Sequence, residues 1–197
     1  RDFCLSRGLG DVYKRQVEEI AVVQSKLCIG LKCGIEPTSK EYYALMLGGC
    51  IFGGSPFSKL FTNVREKLSL AYYASVRTER FKSTMFISSG IETDKYQAAY
   101  DEILVQFNKM KSGDITDSEV VNSKLYLTNG FNSMKDGLRT MEDYYLSQAI
   151  MDNKGEIDDL IEMTNKVTKE EIVEAFNKVE IDTVYFLKGC ASDGGDE

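Results

Sequence analysis

The chain has 197 residues, 43% of them hydrophobic, and a formal net charge of −7. That length supports one good-sized domain with its own core. The acidic balance leaves no electrostatic footprint for nucleic acid, and no apolar run is long enough for a membrane span. There are no histidines at all. A histidine-based zinc site, a histidine general base and a Ser-His triad are therefore excluded within this chain. The five cysteines (Cys4, Cys28, Cys33, Cys50, Cys190) are an odd number without regular pairing. This argues against a disulfide framework and for a reducing, cytoplasmic setting.

In chain order, Arg1 to Gln16 carry basic residues and scattered glycines with no sustained period. No apolar stretch makes them a secretory signal. The string resembles translated adapter read-through, so residues 1–16 are expected to be non-native or disordered, with native upstream sequence missing. A single domain is expected over 17–190 and a disordered acidic tail over 191–197. Val17 to Val23 reads as the end of a linker or an entering strand. From Val23 to Ile35 the pattern alternates, with Val23, Leu27, Ile29, Leu31, Cys33 and Ile35 on one face. That is a half-buried strand. Cys28 and Cys33 fall on opposite faces, so they are not expected to share a metal.

Pro37-Thr38-Ser39 predicts a cap before a buried helix through Tyr42, Leu45 and Cys50. That helix is expected to dissolve at Gly48–Gly54 into a sharp glycine turn. The G-x-x-x-x-G-K-[ST] phosphate spacing is absent. A thiol nucleophile at Cys50 would have no histidine partner.

Ser55-Pro56 predicts the next helix start. Phe57, Leu60, Phe61, Val64 and Leu68 recur at helical spacing as its buried face, with Lys59, Arg65, Glu66 and Lys67 largely elsewhere. Ser69 is expected to end it, and a strand opens at Leu70. Arg65 thus falls in a last helical turn and Tyr72 near a strand start, a corner that can aim both at one cleft. Tyr73 belongs to the opposite strand face, so Tyr72 is the expected cleft residue. By spacing alone the pair reads as a surface arginine and an ordinary strand aromatic.

Two strands, Leu70–Arg77 and Ser83–Ile91, read as an antiparallel hairpin. Asp94 and Gln97 predict a capping box before a helix striped by Tyr96, Ala99, Tyr100, Ile103, Leu104, Phe107 and Met110. Thr116 and Glu119 cap a long helical stretch that Gly130 and Gly137 bend or divide. A short helix, a box at Thr168 and Glu171, another helix and a strand over Asp182–Lys188 complete the chain. The fold class expected is α+β, a mainly antiparallel sheet with helices packed on one face.

Three motifs, Ser58-Lys59-Leu60-Phe61, Val64-Arg65-Glu66-Lys67 and Leu70-Ala71-Tyr72-Tyr73, resemble in order and spacing the second, non-zinc domain of the insulinase-like (pitrilysin-type) zinc peptidases. The resemblance covers roughly 24–189, and the Ser-Pro-Phe-Ser wording is similar to a bacterial subgroup associated with elongation factor P modification. It implies a half-domain of the processing-peptidase type. It also implies that Arg65 and Tyr72 hold a peptide backbone near the bond to be cut. In that family an H-x-x-E-H helix in the other domain binds zinc. That motif is absent here, so the resemblance implies no catalytic residue and no zinc in this chain. Zinc is expected in a homologous H-x-x-E-H-bearing domain or subunit, the expected partner along with a peptide substrate. The alternative is an interaction or chaperone module without proteolysis.

Overall fold

A computed structural model describes residues 14–189. Alternation of apolar and polar side chains sets the sheet. Strand β2 (Ser25–Lys32) buries Leu27, Ile29 and Leu31 and turns Lys26 and Lys32 outward, because successive strand side chains point to opposite faces. The alternation runs on through Cys33 and Ile35, both buried. Val23, expected on the same face, is fully exposed, ahead of the first paired residue, Ser25.

Strands β3 (Ala71–Glu79) and β4 (Thr84–Ile91) form the expected antiparallel hairpin, from Ala71 opposite Ile91 to Glu79 opposite Thr84. Strand β5 (Glu180–Gly189) pairs antiparallel with β2. Strand β1 (Lys14–Ile20) adds a parallel edge along β5, so the sheet order is β1-β5-β2-β4-β3. The boundary expected at Val17 falls inside β1, which reaches back to Lys14. Every β1 residue is exposed. Its place depends on backbone pairing with β5 and on polar side-chain contacts, Arg15 to the Tyr96 hydroxyl and Tyr185 to Glu18 among them, none of which leaves a hydrophobic period in the sequence. The rest of the segment expected to be non-native, and the acidic tail, lie outside the described residues.

Helix α1 (Glu41–Gly49) does not break at its glycines. It continues as a π-helical turn over Cys50–Gly54. A Cβ on Gly48 would stand 2.3 Å from the Phe176 ring, and one on Gly53 would stand 2.4 Å from Val76 Cγ2. These glycines permit close packing against a helix and a strand rather than a chain reversal. Phe176 lies on α6 (Lys169–Asn177) and Val76 on β3.

Helix α2 (Tyr96–Ser112) follows a 3-10 turn over Thr93–Lys95. The box expected at Asp94 and Gln97 does not form; Gln97 Nε2 donates instead to Asp101 Oδ1 at 2.8 Å. The expected stripe is real, with Ala99, Ile103 and Met110 fully buried. Helices α3 (Asp117–Met134) and α6 start with the expected boxes at Thr116/Glu119 and Thr168/Glu171. Gly137 divides α3 from α4 (Leu138–Ile150), whereas Gly130 stays inside α3. Helix α5 (Ile157–Lys166) joins α3 and α4 in a small core of Phe131, Tyr144, Ile157 and Leu160.

The main core lies between these helices and one sheet face. Leu27, Ile29, Met85, Ile87, Val184 and Phe186 meet Leu45, Leu47, Ile103 and an aromatic trio. Phe52 packs with its centroid 5.9 Å from both Phe107 and Phe176. On the other sheet face Phe86 is 47% exposed. The architecture is the expected α+β one.

Candidate functional site: an arginine–tyrosine cleft

The site is a helix-to-strand corner. Ser55-Pro56-Phe57 form a turn, and the helix proper begins at Lys59. From Phe61 to Lys67 it is π-helical, and Leu68 N–H donates to Asn63 C=O at 3.3 Å, a five-residue step. The wider winding changes which residues share a face. Leu60 and Val64 are fully buried as expected and Phe61 is half-buried, but Phe57 and Leu68 are exposed. Lys59, expected on the polar side, is buried and paired with Glu119.

Arg65 stands in the last turn, as its position predicts. Its guanidinium carbon lies 4.6 Å from the centroid of the Phe61 ring, and its Nε is 3.5 Å from Glu66 Oε1. Both partners of that ion pair are well exposed, so it restrains the guanidinium only weakly. Ser69 then takes a φ of +49°, and Leu70 N–H donates to Val64 C=O at 2.9 Å. These two features turn the chain from helix into β3.

β3 opens with a bulge. Ala71 is opposite Ile91 and Tyr73 is opposite Gly90, leaving Tyr72 unpaired between them. A bulge bends its strand and re-aims the extra side chain. Tyr73 lies over Gly90, where a Cβ would stand 2.4 Å from its ring. Tyr72 swings to the corner, 57% exposed. Its hydroxyl donates to Glu92 Oε1 at 3.3 Å. Arg65 and Tyr72 are thereby brought to one open cleft of about 450 Å³, lined also by Ser69, Leu70, Glu92 and Lys95.

Glu92 and Lys95 were not singled out by sequence reasoning. Lys95 Nζ lies 3.2 Å from Glu92 Oε2 and donates to Ser69 C=O at 3.3 Å. Their signal was the hairpin itself, since pairing the start of β3 with the end of β4 brings Glu92 beside Tyr72. The cleft offers donors suited to peptide carbonyls: a guanidinium, an ammonium and a phenol. A histidine-held zinc site does not fit this chain, whose sequence has no histidine; among the described residues no cluster of three or more His, Cys, Asp or Glu is placed to hold a metal. Cys50 is buried, and burial pushes its thiol pKa up, the reverse of an activated nucleophile. Among the described residues, no helix is long and apolar enough to cross a membrane.

A mainly antiparallel sheet with helices packed on one face and an open polar cleft at a helix-to-strand corner is the architecture of a peptidase-like half-domain. The chain belongs to the peptidase M16 family, as its inactive domain: the family model described as "Peptidase M16 inactive domain" matches residues 5–127. It is 39% identical over 176 residues to the "Probable inactive metalloprotease YmfF" of Bacillus subtilis strain 168, covering 89% of this chain and 41% of that protein. Its fold matches a conserved protein of Enterococcus faecalis V583 with a TM-score of 0.87 and 30% identity, over 95% of this chain and 44% of the other. A protease from Helicobacter pylori matches at 0.79 and 20% identity, over 89% and 44%, a likeness of fold. The chain spans less than half the length of each of these relatives.

Proposed function

We propose that this chain is the substrate-holding, non-catalytic part of a zinc metallopeptidase assembly in a reducing, cytoplasmic compartment. Arg65 and Tyr72 clamp the backbone of an extended peptide. The observation that carries this reading is the bulge at Tyr72, which turns that side chain into the cleft that Arg65 lines. An arginine can donate to successive carbonyl oxygens, and a phenol can donate to an oxyanion as charge develops there. Zinc and its activated water belong to an H-x-x-E-H-bearing domain or subunit, the partner in this reading. The compartment is inferred from Cys28, Cys33 and Cys50, which are unpaired thiols.

The test pairs the full chain with an H-x-x-E-H-bearing half encoded in the same genome and measures cleavage of a fluorogenic peptide library. Arg65→Ala and Tyr72→Phe should each lower kcat/KM by about 10- to 100-fold. Unchanged cleavage overturns the clamp. Peptide binding without turnover in the complete pair would favour an interaction module over a peptidase part.

A further inference from the structure

The Tyr72 hydroxyl has one proton, and in this structure it is committed. It points at Glu92 Oε1 across 3.3 Å, while the other carboxylate oxygen of Glu92 faces Lys95 Nζ at 3.2 Å. A phenol cannot donate to a carboxylate and to a peptide carbonyl at once. An ionised carboxylate is also a better acceptor than a neutral carbonyl. We propose that Glu92 is a positioning residue that latches Tyr72 in the empty cleft, and that substrate engages Tyr72 only as this hydrogen bond is released. The inference rests on the peptide-clamp reading of the same cleft.

Two features make the latch releasable rather than permanent. The bond is long for an O–H···O contact, whose usual distance is about 2.7–2.8 Å. Lys95 also draws on the same carboxylate and is itself held by the Ser69 carbonyl. This partial neutralisation weakens Glu92 as an acceptor. When the phenol leaves, Glu92 keeps Lys95 as its partner, so no charge is stranded.

The experiment is a double-mutant cycle on the assembled pair with a fluorogenic peptide that it cleaves. Glu92→Gln keeps the shape of the side chain and removes its charge. It should raise kcat/KM about threefold, because the free site no longer holds the hydroxyl as firmly. In a Tyr72→Phe background the same substitution should change nothing. An equal effect in both backgrounds, or none in either, overturns the latch and leaves the clamp standing. A silent Tyr72→Phe overturns the clamp and the latch together. On this chain alone, 13Cζ-tyrosine NMR supplies a readout that needs no partner, with the Tyr72 resonance assigned by its loss in Tyr72→Phe. Glu92→Gln should shift that resonance, and an unmoved resonance overturns the latch.

Discussion

Lys59 Nζ lies 2.8 Å from Glu119 Oε1, with the lysine side chain only 7% exposed. One ion pair thus ties the start of the Arg65 helix to the first turn of α3. The other oxygen of Glu119 accepts from Thr116 N–H at 2.7 Å. Breaking such a pair from one side costs more than replacing it, because the remaining charge stays buried. Glu119→Gln strands the more buried partner and should cost about 2–3 kcal/mol. Lys59→Met leaves a carboxylate that is 24% exposed and still accepts from the Thr116 N–H, and should cost about 1 kcal/mol. Urea unfolding of the two variants checks the order; a costlier Lys59→Met would contradict it.

The same carboxylate carries a pH dependence. Burial acts to raise the Glu119 pKa and is the largest single influence, but Lys59 and the Thr116 backbone N–H together outweigh it. The net shift is downward from 4.5. A lowered folded pKa contributes stability that is full above the unfolded value and is lost as pH falls through the folded value. The urea-midpoint difference between the native chain and Glu119→Gln should therefore hold from neutrality down to pH 4.5 and shrink below it. A difference independent of pH would show that Glu119 is not ionised in the pair.

Two glycines in helices should respond with opposite signs. Alanine is the better helix former by about 1 kcal/mol. At Gly130 nothing lies within 4 Å of an added Cβ, so Gly130→Ala should stabilise by about 0.5–1 kcal/mol. At Gly48 the added carbon meets the Phe176 ring at 2.3 Å and Ile172 Cγ2 at 3.0 Å. Overpacking outweighs propensity there, and Gly48→Ala should destabilise by about 1–3 kcal/mol. Thermal unfolding of both variants decides it.

Arg65 and Tyr72 should matter for function and little for folding. Both are well exposed, and their polar contacts are long. Arg65→Ala and Tyr72→Phe should each keep stability within about 0.5 kcal/mol. A large loss on unfolding would recast them as structural residues.

The described thiols should separate by access. Cys33 is fully buried, and burial raises its pKa to about 11; Cys50 is raised for the same reason. Cys28 stands half-buried on the opposite sheet face. Because the thiolate is the reactive form, alkylation of the native chain followed by peptide mapping should mark Cys28 well before Cys33 or Cys50. Early labelling of Cys33 would contradict the burial.

The sequence by itself determined what depends on local chemistry and period. The faces of β2, the hairpin of β3 and β4, the α2 stripe and the boxes at Thr116 and Thr168 each rest on contacts within a few residues or on strict alternation. The absence of histidine was likewise legible at once. Only the tertiary structure decided the features that depend on distant neighbours. Gly48 reads as a turn until Phe176, far along the chain, is seen against it. Lys59 reads as solvated until Glu119 arrives to pair with it. β1 carries no apolar period, because its place is set by backbone bonds to β5 and by polar side-chain contacts to distant residues. Period-two alternation allows one of Tyr72 and Tyr73 into the cleft without showing how the chain achieves it. A one-residue bulge, fixed by the register of β4, turns Tyr72 toward Arg65 and brings Glu92 to its hydroxyl.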